Sequence, residues 1–106
     1  MQQMSVPEEA LVKINYDGED LPAEVQEFRP TIYRDGEQYC CLLGPDPELG
    51  IFGNGLTVRE AMNNWVQDFN ERLASPLPDD EVVIFIQNNR AVNSRDVTTH
   101  VEGTDQ

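Results

Sequence analysis

The clearest hydrophobic pattern in the chain lies between residues 57 and 75. Apolar side chains recur there at the spacing of an amphipathic α-helix, with polar side chains on the opposite face. The apolar positions are Val58, Ala61, Met62, Trp65, Val66, Phe69 and Leu73. Thr57 and Glu60 stand at the spacing of a reciprocal capping box, in which each side chain accepts a hydrogen bond from the other residue's amide. Pro76 predicts the end of the helix, because proline disfavours a helical residue before it.

The segment before this helix has the composition and alternation of two strands. Residues 28–43 predict a β-hairpin around an Asp-Gly turn. The register of that turn would place Arg34 opposite Glu37 and Ile32 opposite Tyr39. The face expected to lie under the helix carries Phe28, Ile32, Tyr39, Cys41 and Leu43. The other face carries Thr31, Tyr33, Gln38, Cys40 and Leu42.

Further segments are expected to extend the sheet. Residues 50–54 predict a third strand, which leads into the helix. The consecutive apolar residues of segment 81–87 predict a fourth strand that is buried on both faces. The predicted fold is therefore α+β, a mainly antiparallel three- to four-stranded sheet with one amphipathic helix on one face, in the order β-β-β-α-β.

At 106 residues the chain is expected to form a single domain. An N-terminal extension covers residues 1–26, in which segment 10–16 is compatible with one added strand. The α+β domain covers residues 27–93. The polar residues 94–106 are expected to form a mobile tail.

The charge of the chain restricts its partners. The 20 acidic and 7 basic residues give a formal net charge of −13, spread along the whole length. Such a field repels nucleic acids and anionic membranes and favours encounter with a basic protein. Because of this repulsion, we expect no direct binding to nucleic acid or membrane. The alternative explanation of the charge is that it only keeps the protein soluble.

The sequence also predicts a cytoplasmic protein. No apolar run approaches the roughly 20 residues that a membrane-spanning helix needs, and the N-terminus shows no secretory signal. Cys40 and Cys41 are adjacent and are expected to point to opposite faces of a strand, so they are interpreted as reduced, buried side chains.

No pattern of catalytic, metal-binding or cofactor-binding residues emerges. The glycines of segment 50–55 could cradle a phosphate, but no P-loop lysine follows, and a tight strand-to-helix turn is the favoured explanation. Asp35, Glu37 and Glu81 lie at strand ends and do not form the converging set of carboxylates that a metal nuclease needs. His100 is the single histidine, and we expect it to be solvated. The chain is therefore predicted not to be an enzyme.

One helix cannot cover both faces of the predicted sheet. Tyr33, Leu42 and Phe52 are expected on the face turned away from the helix. That face is covered by the N-terminal segment, by a second copy of the chain or by a partner. We take these three residues as a candidate interface for a partner or for self-association, and we expect a homo-oligomer.

Residues 28–74 resemble the core of the HicB antitoxin family. That family typically shows a hairpin, a proline-containing loop, a glycine, a short strand and then G-x-T-x-x-E-A at the start of an amphipathic helix. The last motif here is Gly55-Leu56-Thr57-Val58-Arg59-Glu60-Ala61. The resemblance implies a partial RNase H-like domain that binds and masks a small basic ribonuclease toxin. Full antitoxins add a C-terminal DNA-binding segment, but no helix-turn-helix or ribbon-helix-helix pattern follows Ser75.

The sequence thus predicts a non-enzymatic interaction module that resembles a solitary HicB antitoxin lacking the DNA-binding segment. Its expected partner is a basic protein, with a small ribonuclease toxin as the candidate. The alternative is an acidic phage or mobile-element protein that inhibits a host nucleic-acid-handling enzyme by charge mimicry. In either case the expected setting is the cytoplasm of a bacterial or phage-infected bacterial cell.

Overall fold

The structure is a computed structural model, and it describes residues 2–18 and 20–90. This part of the chain forms a three-stranded antiparallel sheet together with helices. The strands are β1 (Thr31–Asp35), β2 (Gln38–Leu43) and β3 (Ile51–Gly55), in the spatial order β1-β2-β3. The helices are α1 (Ala23–Phe28), α2 (Val58–Ala74) and α3, which covers residues 81–90. A single 3₁₀ turn, Glu8–Ala10, precedes them. The α+β class is confirmed.

The helix predicted after Thr57 is present as α2. Thr57 Oγ1 accepts a hydrogen bond from the Glu60 amide at 3.1 Å, which satisfies one of the free donors of the first turn. Glu60 Oε1 accepts from the amide of Leu56 at 2.9 Å rather than from the amide of Thr57. The reciprocal half of the predicted capping box is therefore displaced by one residue. The buried face of α2 consists of Ala61, Met62, Trp65 and Phe69, as the periodicity predicts.

The glycines of segment 50–55 allow α2 to approach β3 closely. A Cβ atom on Gly53 would lie 2.1 Å from the backbone nitrogen of Trp65 and 2.6 Å from the carbonyl oxygen of Ala61. A Cβ on Gly55 would lie 2.5 Å from the Cβ of Glu60. Neither glycine has a positive φ. Close approach to the helix, and not a positive φ, is therefore what excludes a side chain at Gly53 and at Gly55, where β3 passes into α2 through only two residues.

The hairpin of β1 and β2 is present, but its predicted register is wrong. Arg34 pairs with Tyr39 instead of Glu37, and Ile32 pairs with Cys41 instead of Tyr39. The partner strand is thus displaced by two residues. Because side chains alternate with a period of two, this displacement leaves the predicted faces of both strands intact.

The turn explains the register. Gly36 has a φ of 64° and is the first of the two residues that connect the strands, with Glu37 as the second. Glycine at the first central position is typical of one of the two favoured hairpin turns, whereas the prediction placed it second. Phe28 was also predicted in β1, but it is the last residue of α1, from which it still packs against the core.

The predicted fourth strand at residues 81–87 is wrong, because residues 81–90 are helical. Asp80 Oδ1 accepts from the amide of Val83 at 3.2 Å and caps the first turn. Val82, Val83 and Ile86 are buried, whereas Ile84 is 50% exposed, which is the spacing of a helix. Tertiary packing and the cap thus outweigh the strand preference of a β-branched run. The same helix continues through Asn88, Asn89 and Arg90.

The N-terminal segment follows β1 without forming the strand that residues 10–16 suggest. Leu11 forms one isolated antiparallel bridge with Tyr33, and the amide of Val12 donates to the carbonyl of Ile32 at 2.8 Å. Tyr16 then donates its hydroxyl hydrogen to the carbonyl of Pro30 at 2.6 Å. The predicted tail at 94–106 and His100 lie outside the described residues.

Candidate functional site

The structure brings Tyr33, Leu42 and Phe52 to the same face of the sheet, opposite α2. Leu42 lies between Thr31 and Phe52 in adjacent strands, and Tyr33 lies beside Cys40 in the next row. Leu42 is 0% exposed, while Tyr33 and Phe52 are half-buried. Only the two aromatic residues of this candidate interface therefore remain partly accessible, and its role as an interface stays a prediction.

The N-terminal segment covers part of this face. The side-chain amide of Gln3 donates to Thr31 Oγ1 at 2.9 Å and to the carbonyl of Leu42 at 3.0 Å. Gln3 Oε1 accepts from the amide of Gly44 at 2.8 Å, and the carbonyl of Gly44 accepts from the amide of Met4 at 2.9 Å. Three covers were expected for this face: the N-terminal segment, a second copy of the chain or a partner. The structure shows that the N-terminal segment covers part of it.

The two cysteines are buried, free thiols, as expected. Burial raises the pKa of Cys40, although a hydrogen bond with Tyr33 opposes the increase. Burial and the neighbouring Cys40 raise the pKa of Cys41 more strongly. Burial, together with Cys40, also raises the pKa of Tyr33 to about 12. Since the thiolate is the reactive form of cysteine, the raised pKa values favour the protonated, less reactive thiol at both positions at neutral pH.

A buried ion pair that the sequence analysis missed connects three segments. Arg72, near the end of α2, contacts Asp80 at 3.1 Å, and their side chains are 10% and 4% exposed. The Arg72 guanidinium also donates to the carbonyls of Leu49 and Gly50 at 3.0 and 2.6 Å. Asp80 also accepts from the amides of Leu77 and Val83. We call this arrangement the Arg72–Asp80 cluster.

The charged state of Asp80 is stabilised within this cluster. Burial alone raises the pKa of a carboxyl group, but the amides of Leu77 and Val83 and the guanidinium of Arg72 together outweigh it. The pKa of Asp80 is therefore lowered below its ordinary value. The signal in the sequence was an aspartate three residues before Val83 at the start of an apolar run, which is typical of a helix N-cap.

A surface groove lies beside the Arg72–Asp80 cluster. Its apolar walls are Pro45 and Leu49 on one side and Leu77 and Pro78 on the other, and we call it the Leu49–Leu77 groove. Leu49 is 55% exposed and Leu77 is 45% exposed. The volume of the groove is about 180 Å³, which is below the range of roughly 300–1,000 Å³ that is usual for small-molecule and cofactor sites. Asp79 and Glu81 stand at its rim.

The carboxylates considered for metal-dependent chemistry do not come together. Asp35 and Glu37 are at the β1–β2 turn, and Glu81 is in the first turn of α3. Within residues 2–18 and 20–90, no group of three His, Cys, Asp or Glu side chains could hold a metal ion. No helix in this part of the chain has the length and apolar character needed to cross a bilayer.

The arginines of the described chain are largely engaged with carboxylates. Ion pairs join Arg29 to Asp17, Arg59 to Asp20, Arg72 to Asp80 and Arg90 to Glu27. Arg34 stacks over the ring of Tyr39, with its guanidinium carbon 5.9 Å from the ring centre. Because acidic residues outnumber basic ones by 20 to 7, the remaining surface charge is predominantly negative.

Comparison with known proteins adds no relative to this description: no family model, no curated protein and no solved structure matches the chain. The resemblance to the HicB antitoxins therefore rests on the motif residues of segment 28–74 alone.

Proposed function

We propose that the chain is a non-enzymatic protein-interaction module, similar to a HicB antitoxin, that binds and masks a basic protein partner. The candidate partner is a small ribonuclease toxin, and the proposed setting is the cytoplasm of a bacterial or phage-infected bacterial cell. The observation that carries this proposal is the net charge of −13 on 106 residues. Since most described arginines are already ion-paired, that charge forms an attractive field for a basic surface.

The half-buried aromatic residues Tyr33 and Phe52 support the same proposal. Aromatic residues are enriched in protein interfaces relative to the rest of the surface. Asp35 and Glu37 are exposed at the β1–β2 turn, and Asp35 places negative charge near the ring of Tyr33. A basic partner would thus find apolar contact area with complementary charge at its rim.

The experiment is a native pull-down from the source cell, with bound proteins identified by mass spectrometry and then purified for titration. A small basic ribonuclease that is inhibited on binding, with affinity that falls as salt rises, is the expected result. Capture of a large DNA- or RNA-handling enzyme would instead favour inhibition by charge mimicry. Recovery of the chain only as a homo-oligomer would contradict the proposed partner and would assign Tyr33 and Phe52 to self-association.

A further inference from the structure

The Leu49–Leu77 groove exposes apolar surface that the fold itself does not use. Leu49 and Leu77 belong to two different loops, the β2–β3 connection and the α2–α3 connection, yet they face one groove. Each leucine keeps about half of its surface exposed. Two flanking prolines, Pro45 and Pro78, extend the apolar walls.

The walls of this groove are held in place before any ligand arrives. Arg72 fixes the first loop through the carbonyls of Leu49 and Gly50, and it holds the second loop through Asp80. Asp80 in turn binds the amide of Leu77 at 3.0 Å. The two leucines are thus positioned by one buried cluster, and a preformed site loses less conformational entropy on binding.

The charge around the groove specifies the chemistry of its occupant. Asp46 and Glu48 lie in the loop of Leu49, Asp79 lies in the loop of Leu77, and Glu81 follows in the first turn of α3. Among the described residues, Arg72 contacts both loops of the groove, and it is buried and neutralised by Asp80. An occupant that brings apolar side chains together with positive charges would complement both features, whereas a second copy of this acidic chain would be repelled.

Residues 91–106 of the same chain do not have this chemistry. They contain one arginine, one histidine and three acidic residues. Charge complementarity therefore favours a segment from another protein.

We infer that the Leu49–Leu77 groove binds a short basic segment of a partner protein, whose apolar side chains insert between the two leucines. This inference rests on the proposed function, and it adds the surface and the kind of segment that a basic partner would use. The volume of about 180 Å³ accommodates a small number of apolar side chains, with the arginines or lysines of the segment at the acidic rim.

The test uses the full chain and a synthetic probe, an acetylated and amidated octapeptide in which two leucines are flanked by arginines. The peptide is titrated into ¹⁵N-labelled protein, and amide shifts are followed by NMR. The double variant Leu49→Ser/Leu77→Ser removes the apolar walls at two exposed positions, so the fold is expected to persist. Leu56→Ser is the matched control, because Leu56 is an exposed leucine (68%) that does not line the groove.

We expect shifts at the amides of Leu49, Leu77 and residues 79–82, and a loss of affinity of about ten-fold or more in the double variant. The control variant should bind within about two-fold of the original chain, since it removes no groove contact. A second variant, Asp79→Asn/Glu81→Gln, should weaken binding by a smaller factor that disappears at high salt. Asparagine suits position 79, where φ is 53°.

Three results would overturn the inference. The first is binding of the peptide with shifts at Tyr33 and Phe52 instead of at the groove. The second is equal affinity of the groove variant and the Leu56→Ser control. The third is a dimer in sedimentation experiments that the groove variant abolishes, because a second copy would then occupy the site.

The groove and the proposed function can fail separately. A natural basic partner that binds the original chain and the Leu49→Ser/Leu77→Ser variant equally well would overturn the groove while supporting the interaction module. Failure to capture any basic protein from the source cell would contradict the proposed function. Specific binding of the peptide in the groove would still support the present inference in that case.

Discussion

The two ends of α2 are held to the rest of the molecule by different kinds of interaction. The N-terminal half lies directly on β3, where Gly53 lets the backbone near Trp65 approach the strand. The C-terminal end is attached through Arg72, which binds two loop carbonyls and the carboxylate of Asp80. One end is thus fixed by apolar close packing and the other by a buried polar cluster.

This difference determines how each end responds to change. Close packing has no titratable group, so it does not respond to pH, but it tolerates no added atom. A buried ion pair depends on the charge of both partners as well as on their geometry, so it does respond to pH. The Leu49–Leu77 groove lies at the polar end, so the stability of its walls should follow the state of Arg72 and Asp80.

The largest expected effect is the loss of Arg72. Arg72→Met removes the positive charge and the donors while keeping much of the side-chain volume, and it leaves the Asp80 carboxylate buried. We expect the free energy of unfolding to fall by about 3–5 kcal/mol, measured by urea denaturation at pH 7. Hydrogen exchange should show that amide protection decreases mainly at the end of α2 and the start of α3.

Arg59→Met is the matched control for that substitution. Arg59 pairs with Asp20 at 3.5 Å, but the two side chains are 62% and 79% exposed. Exposed ion pairs contribute about 0–1 kcal/mol, so the control should be close to neutral. Equal destabilisation by the two variants would show that the buried cluster has no special role.

At the other end of α2, Gly53→Ala should be the next most damaging change. The added Cβ would lie 2.1 Å from the Trp65 nitrogen and 2.6 Å from its Cα, which are backbone atoms that cannot move independently of the helix. Overpacking typically costs 1–3 kcal/mol, and we expect about 3 kcal/mol here. Thermal and urea denaturation would measure it.

Gly18→Ala serves as the control for Gly53→Ala. The nearest atom to a Cβ at position 18 is the carbonyl oxygen of Asn15 at 3.3 Å, so a small adjustment suffices. A loss of stability that is as large for Gly18→Ala as for Gly53→Ala would contradict the close-packing explanation.

The sequence predicts the packed end of α2 far better than the polar end. Thr57, the apolar period and Pro76 are local signals, and each is sufficient to place one boundary or face of α2. The strand faces were also predictable, because a register error of two residues conserves them. Even the packing role of Gly53, however, requires knowing that the helix folds back over β3.

The polar end could not be predicted because its signals depend on distant partners. Nothing within the sequence next to Arg72 indicates that the carbonyls of Leu49 and Gly50 will face it. Segment 81–87 has the β-branched composition of a strand, and only Asp80 as an N-cap argues for a helix. The groove depends on both of these features, so it too was missed.

A pH dependence should distinguish the two ends. Because the folded pKa of Asp80 is lowered, its charge stabilises the fold above the ordinary carboxyl pKa, and this contribution is lost as pH falls through the lowered value. Asp80→Asn keeps an acceptor for the Val83 amide but loses the charge. We expect a stability difference of about 2 kcal/mol from the original chain at pH 7, shrinking as acid protonates Asp80.

Urea denaturation between pH 2 and pH 7 would measure this difference for the original chain and for Asp80→Asn in parallel. Gly53→Ala provides the comparison, since the cost of its close contact should not vary with pH over the same range. A stability difference for Asp80→Asn that stays constant down to pH 2 would contradict the lowered pKa of Asp80.

The smallest expected effect comes from the exposed helix cap. Thr57 and Asp80 both cap the first turn of a helix, but Thr57 is exposed and serves α2 alone, whereas Asp80 is buried and also binds Arg72. Thr57→Ala should therefore cost only about 1 kcal/mol, independently of pH, in urea denaturation. Glu60→Gln should cost less, because an amide oxygen can still accept from Leu56. If Thr57→Ala and Asp80→Asn lowered the free energy of unfolding by the same amount at pH 7, the buried charge of Asp80 would contribute nothing beyond helix capping.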